Sequence, residues 1–386
     1  MTRSRARRGD VTASTPAVLG TPPPARPLTV AVIGAAGPLG DQIVRTLGAD
    51  PAFAGVIAID STATPARRRA ALPIELTPEA SVRVAWRTAD VRHPSFARAL
   101  DGVDVVVHAG VEQDPSAAAA PRRARNLDGV RTLLEAVAIA GVRRVVVLSS
   151  AMVYGAFADN PALIDENYEL RAAADDSIVG DFLQIERLLA DFASSHKDIS
   201  VVVLRPTTIV GPGCDGVLIR HFETSRLLAI RGVTARWQFV HVADVAGACL
   251  LAVTAVIDGI VNVAPPATLT QGDLETITGS RRVELPASVV FGAADRLHRA
   301  GVTMAPAGEV AYLAYPWVVD SGRLLEAGWR PAYDSAAALR AHLVVARSPE
   351  GARRIGSNDA TRAAAGATVA LLGTAALLRR ARRRRA

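Results

Sequence analysis

Lysine is almost missing from this sequence: of the 44 basic residues in 386, all but Lys197 are arginine. Chemistry that needs an ammonium side chain therefore has a single candidate, fixed by position. Cysteine is scarce too. Cys214 and Cys249 have neither CxxC spacing nor a partner cluster, which excludes a disulfide framework and a structural zinc centre and favours a reducing compartment. The histidines show no HExxH or comparable ligand spacing, so no metal site is expected. Residues 1–27 are rich in Arg, Thr and Pro and contain no apolar core of a secretory signal. No repeat of about 20–50 residues is visible, which argues against a solenoid.

What charge there is gathers at the ends. The formal net charge is +7, yet residues 1–27 carry +4 and residues 346–386 carry +8, leaving the body at −5. The basic character therefore belongs to the tails, and specific nucleic-acid binding is not expected of the folded part. Half of the residues are apolar, enough for a large core in one α/β unit or two domains. The expected division is a disordered basic tail over 1–27, a folded body over 28–345 and a linker with a polybasic end over 346–386.

That end contains an uncharged stretch, Ala363–Leu378, followed by six arginines. As a helix it would reach about 24 Å at ~1.5 Å per residue, short of a hydrocarbon core of about 30 Å. A full span would also place the body outside if the arginines stay cytoplasmic. Two readings remain open: an interfacial helix on anionic lipid at the inner face of the cell membrane, or a loose basic tail of a cytoplasmic protein.

The body reads as alternating strands and helices. Leu28–Ile33, Val56–Asp60, Val82–Trp86, Val103–Val107, Val145–Leu148, Val201–Leu204 and Ile260–Val263 are apolar, β-branched runs. Helical patterns lie between them at about 38–48 and 126–140, which is the pattern of a parallel sheet covered on both faces. The fold class expected is α/β, a Rossmann-type doubly wound parallel sheet. After about residue 210 the alternation loosens: 216–231 reads as helical, and 286–345 as helices with short turns. The substrate-capping portion is expected mainly at 211–240 and 280–345, over the carboxyl edge of the sheet.

Gly34, Gly37 and Gly40 lie directly between the first strand and the first helix, with Pro38 and Leu39 inside the turn. Such a turn lets backbone N–H groups approach a pyrophosphate at a helix N-terminus. Asp60, 20 residues past the third glycine at the end of the second strand, is placed to bond ribose hydroxyls. Its charge favours NAD over NADP, while the Arg67–Arg69 run leaves NADP open.

The GxxGxxG spacing resembles an extended short-chain dehydrogenase/reductase of the NAD-dependent epimerase/dehydratase family. Other segments follow in the family's order. Asp90-Val91 resembles the adenine-contacting pair, and His108-Ala109-Gly110 the strand-four segment packed on the cofactor. Asn126 to Gly129 is similar to the NxxG helix start, and Leu148 to Gly155, with Ser149 and Ser150, to the serine strand. Leu204-Arg-Pro206 resembles the segment near the nicotinamide, and Phe239 to Asp244 and Gly328 to Pro331 the late motifs. The resemblance covers roughly 28–345 and is nearest to actinobacterial proteins of the UDP-glucose 4-epimerase-like type. It implies NAD as cofactor, a nucleotide sugar as substrate, and a second copy of the chain as a candidate partner.

Where the family pattern has a tyrosine followed four residues later by lysine, aligning Glu186-Arg-Leu-Leu189 puts Ile178 and Phe182. No tyrosine of the chain lies four residues before Lys197, so the pair is absent and not displaced. Ser150 matches the serine that holds the substrate oxygen and is the one catalytic residue the resemblance carries over. Two readings follow. In the first, an atypical active site transfers hydride with Asp176, Asp181, His108 or Tyr154 moving the proton, the bland alternatives being a helix cap, a solvated helix position, a strand-end residue and core. In the second, a non-catalytic NAD(P)-binding sensor or scaffold keeps the fold. The position where the family often has a diphosphate-binding arginine is Trp237, with Arg236 one place earlier.

Overall fold

The computed structural model describes residues 27–61, 83–113, 117–299 and 307–348. The Arg67–Arg69 run, Ala363–Leu378 and the polybasic end lie outside the described residues. In chain order, β1 (Leu28–Ile33) is followed by α1 (Pro38–Gly48), β2 (Phe53–Asp60), β3 (Val84–Thr88) and β4 (Val105–His108). Then come α2 (Ala119–Ala140), β5 (Arg144–Leu148), α3 (Ile178–Ser195) and β6 (Ser200–Pro206). The chain continues through β7 (Thr208–Val210), α4 (Val217–Glu223), β8 (Arg226–Ile230), β9 (Phe239–His241), α5 (Val242–Val253) and β10 (Gly259–Val263). The last part holds α6 (Gln271–Thr278), β11 (Arg281–Leu285), α7 (Ala287–Arg299), α8 (Gly322–Glu326) and α9 (Ser335–Ala346). Short 3-10 turns span Pro94–Leu100, Ala151–Tyr154 and Ala307–Leu313.

Seven strands form one sheet in the order β10-β6-β5-β4-β1-β2-β3, and every pairing in it is parallel. This is the Rossmann-type α/β sheet. The period-two alternation of side chains divides the apolar strand residues between two cores. Val30, Val32, Val105, Val107, Val146 and Leu148 pack with Ile43 and Leu47 of α1 and with Val245 and Cys249 of α5. Ala31, Ile33, Val106, Val145 and Val147 pack on the other face, against Leu133 and Val137 of α2 and Ile185 and Leu189 of α3. A third core, with Tyr154, Phe222, Trp237, Phe239, Trp317 and Leu339, joins the C-terminal elements to the edge of the sheet.

One expectation is corrected. The helix read over 216–231 stops at Glu223, and Arg226–Ile230 is a strand paired in parallel with β11. The run Arg-Leu-Leu-Ala-Ile suits either state locally, and pairing with a segment some 55 residues away decides it. The late motifs clasp the end of the chain. Asp244 accepts the Ala332 and Tyr333 N–H groups at 2.7 and 3.1 Å, and Trp329 Nε1 donates to the Asp244 carbonyl at 3.0 Å. His241 caps α5, accepting from Ala243 N–H at 3.3 Å.

The β1–α1 turn is tightly closed. Gly34 has φ +80°, and a Cβ there would lie 2.4 Å from Gly110 Cα; a Cβ on Gly40 would lie 2.1 Å from the Gly34 carbonyl oxygen. Both obstacles are backbone, so neither can swing aside. Gly40→Ala is therefore expected to destabilise the protein by about 3 kcal/mol, at the upper end of overpacking costs. The check is a shift of the denaturant midpoint at unchanged slope.

Candidate functional site

A cleft of about 840 Å³ opens at the carboxyl ends of the strands, and it is lined by the loops after β1, β4, β5 and β6 together with residues from the C-terminal elements. It lies where the strand order reverses between β1 and β4, the place where open α/β sheets bind ligands.

The glycine-rich turn forms one end. Gly34, Gly37, Pro38, Leu39 and Gly40 all line the cleft, but the three glycines differ in why they lack a side chain. Gly34 and Gly40 are required by close backbone contacts. Gly37 is not: a Cβ there would meet only the Gly34 carbonyl oxygen, at 3.4 Å. What its hydrogen leaves open is the cleft itself, directly over the N-terminus of α1. Unpaired N–H groups and the helix dipole make that opening suited to an anion. The residues present thus fit a dinucleotide pyrophosphate. Asp60, from the end of β2, also lines the cleft, and its Oδ2 accepts the Ala36 N–H at 3.0 Å.

The other expected cofactor residues divide. Ala109, Gly110, Ser149 and Pro206 line the cleft. Asp90, Val91, His108 and Asn126 are not among its lining residues. Asp90 pairs with Arg92 at 2.6 Å, and that hydrogen-bonded guanidinium holds its carboxyl below the usual range. Val91 packs against Gly129 of α2. His108 is buried with Nδ1 unpartnered, and burial pushes its pKa down to about 4. Asn126 is a brace: its side chain accepts from Glu112 N–H at 2.8 Å and donates to Asp181 at 3.0 Å.

Ser149 and Ser150 stand at the end of β5, and both line the cleft. Ser149 Oγ donates to Glu186 Oε1 at 2.5 Å. Glu186 in turn takes Arg205 Nε and Nη2 at 3.0 and 2.5 Å, and Arg205 Nη1 donates to the Tyr154 hydroxyl at 2.7 Å. This buried chain fixes the serine strand against β6 and α3. Ser150 Oγ accepts from Met152 N–H at 3.2 Å, capping the 3-10 turn. Ile178 and Phe182 occupy one face of α3 and line the same cleft beside the serines.

Of the four proton carriers considered from sequence, Asp176 alone lines the cleft. Its side chain is 84% exposed, with Arg123 3.9 Å away. It is not the helix cap: Ser177 caps α3 by accepting from Gly180 N–H. Asp181 has no exposed surface and is held by Arg122 and Arg123, each at 3.1 Å. Tyr154 is fully buried, and its hydroxyl donates to Asn262 at 2.9 Å. Lys197 lies just beyond the end of α3, away from the cleft lining.

Sequence reasoning missed several lining residues, among them Met152, Cys214, Glu309 and Trp317. Burial pushes the Cys214 thiol up to about 12, so it stays protonated at neutral pH. Glu309 is 8% exposed, and burial raises its carboxyl to about 7 against the opposing charge of Arg122. None of these belongs to a local motif. Among the described residues, no three His, Cys, Asp or Glu side chains gather as a metal would require, and no helix is long and apolar enough to cross a membrane.

Sheet, turn and cleft define a Rossmann-type α/β protein with a glycine-rich anion cradle. The chain belongs to the NAD dependent epimerase/dehydratase family, whose family model matches residues 30–264. An uncharacterized protein of Mycobacterium tuberculosis is 30% identical over 323 residues, covering 82% of this chain and 83% of its own. A 3-diazoavenalumate denitrifying reductase from a Streptomyces species is 29% identical over 246 residues, covering 61% and 75%. Among solved structures, the UDP-glucose-4-epimerase of Stenotrophomonas maltophila superposes with a TM-score of 0.64 at 21% identity, covering 84% of this chain and 99% of that one. It was solved with bound NAD and formylated UDP-arabinopyranose.

Proposed function

We propose that this protein binds NAD along the cleft and moves a hydride to and from a hydroxyl-bearing carbon held near Ser150, on a nucleotide sugar. The observation that carries the reading is the open face of Gly37 over the α1 N-terminus, in one continuous cleft with Ser149 and Ser150. Gly34, Gly37 and Gly40 would hold the pyrophosphate and Asp60 the adenosine ribose, with Pro206, Ala109 and Gly110 available to the ring end. NAD over NADP follows from the carboxylate of Asp60, which repels a 2′-phosphate. A nicotinamide supplies the hydride acceptor and donor. Ser150 orients the reacting oxygen, and the apolar Ile178, Phe182 and Met152 exclude water around it.

The nucleotide-sugar part is supported by the epimerase that superposes on this fold with such a ligand bound. The residues add a distinction. Trp237, at the diphosphate-arginine position, is buried in the C-terminal core, and Arg236 bonds Thr268 at 3.2 Å at the surface. Trp237 is not among the residues lining the cleft, whereas Trp317 and Leu218 are, and their apolar wall favours a second reading in which a reductase takes an aromatic carbonyl compound in place of the sugar.

The test is purified protein with NAD and a panel of UDP- and dTDP-hexoses, followed for epimerised or dehydrated product and for NADH absorbance. Product with a hexose nucleotide is the expected result. Oxidation of NADH by aromatic aldehydes alone would establish the second reading. NAD binding without turnover in either arm would mark a nucleotide-binding module in place of an enzyme.

A further inference from the structure

A hydroxyl that gives up a hydride must also give up a proton, and the residues that match the family's usual proton carrier are Ile178 and Phe182. The titratable residues of the cleft lining are placed differently from one another. Glu112 has Arg125 3.9 Å away and a side chain 39% exposed, and His298, near the end of α7, is exposed. Asp60 is at the far end of the cleft, at the end of β2 and bonded to the glycine-rich turn. Asp215 is paired with Arg220 at 2.6 Å, and Asp176 is solvated. Cys214 stays protonated. The Tyr312 hydroxyl, on the Ala307–Leu313 turn, donates to the Met152 carbonyl at 2.7 Å, and burial raises its pKa further.

Glu309 differs from all of these. It lies on the same 3-10 turn, reaches the wall shared by Ser149, Ser150 and Phe182, and is nearly buried. Its turn is tied to the serine strand by the Tyr312 hydroxyl, which donates to the Met152 carbonyl at 2.7 Å. The carboxyl therefore shares the cleft with Ser150 and with Ile178, the first residue of α3 and the position where the tyrosine is missing. The geometry points to Glu309 as the proton-transferring group of this cleft, standing in for the absent tyrosine. This rests on the reading of the cleft as a hydride-transfer site.

The step balances as follows. The substrate C–H bond yields its hydride to oxidised nicotinamide, the O–H bond breaks, its proton passes to a Glu309 carboxylate oxygen, and the remaining electron pair closes the carbonyl. The reverse direction returns both. The titratable groups around Glu309 are Arg122 from α2, Asp175 from the loop before α3, and the neutral Tyr312 from its own turn. Burial raises the carboxyl most; Arg122 and the Ile178 backbone oppose this, and Asp175 adds to it, leaving a group that exchanges its proton at about 7. A general acid or base works best near its operating pH.

The test uses the full chain and has two arms. In the first, which needs no substrate, the carbon-13 carboxyl resonances of wild type and Glu309→Gln are followed against pH. A carboxyl titrating near 7 is expected in wild type and absent from the variant, whose side chain keeps the same size and shape. Melting temperature gives the same answer. The folded pKa is raised, so its stabilisation is complete below the unfolded value of 4.5 and lost as pH rises through about 7. Wild type should therefore fall behind Glu309→Gln across that window and run parallel above it.

In the second arm, turnover of the nucleotide-sugar panel should drop about 100- to 10,000-fold in Glu309→Gln, recover in part in Glu309→Asp, and leave the NAD dissociation constant within twofold. Turnover in Glu309→Gln within threefold of wild type would overturn the proposal. So would a Glu309 carboxyl that titrates near 4.5. If the nucleotide sugars give no product and aromatic aldehydes are reduced instead, the nucleotide-sugar reading alone fails and the Glu309→Gln comparison with the aldehyde decides the proposal; no turnover with either class overturns both.

Discussion

Gly37→Asp is expected to abolish NAD binding while leaving the fold as stable as wild type or slightly more so. Gly37 is the N-cap of α1, with φ −74° and ψ 162° and no side-chain cap bond. An L-residue adopts that backbone without strain, and aspartate is among the best N-caps where glycine is middling. The added Cβ would meet only the Gly34 carbonyl, at 3.4 Å. Folding therefore gains a few tenths of a kcal/mol. For a bound pyrophosphate the same carboxylate occupies the anion's place and carries its charge. An affinity loss of at least ~100-fold, about 3 kcal/mol, should be seen by calorimetric titration beside an unshifted melting curve. Retained NAD affinity would remove the cofactor assignment, and a collapsed melting curve would remove this account of the turn.

Arg205→Leu should be the most damaging single change inside the sheet. Arg205 and Glu186 are 2% and 6% exposed and share two hydrogen bonds, at 3.0 and 2.5 Å. Removing one partner leaves a buried charge without its counter-ion, which costs about 3–5 kcal/mol. Tyr154 and Ser149 also lose their fixed neighbours, so the serine strand loosens at the cleft. Replacing the pair together, as Arg205→Leu with Glu186→Leu, removes the charge along with its counter-ion and should be milder than the single change. Chemical denaturation of the two variants tests this directly. A double variant as unstable as Arg205→Leu would mean that the pair contributes by packing and not by charge.

Most of the sheet was legible in the sequence because strands buried on both faces read as continuous apolar runs. The separate β8–β11 pair was not: Arg281–Leu285 is mostly exposed and alternates weakly, and nothing but its pairing with β8 makes it a strand. The positions of Ile178 and Phe182 in the cleft could be counted from Glu186 because helix periodicity carries register over two turns. The cap of α3 was missed by one residue: Asp175 accepts from Ser177 N–H at 3.0 Å, so both neighbours of Asp176 serve the turn and its own side chain faces water. Glu309 had no signal at all. It reaches the serine strand from more than 150 residues downstream, through packing of the C-terminal core, and no local pattern encodes that distance.

The bond from Ala36 N–H to Asp60 has a consequence for how such a protein could change its coenzyme. The carboxylate that would select against a phosphorylated ribose also fastens the glycine-rich turn to the second strand. Exchanging Asp60 for a smaller neutral residue would admit the larger coenzyme and at the same moment slacken the loop that has to grip either one. A switch of preference therefore cannot arise as one advantageous substitution. It needs a second anchor for Ala36 in place beforehand, which makes coenzyme choice in this chain resistant to drift.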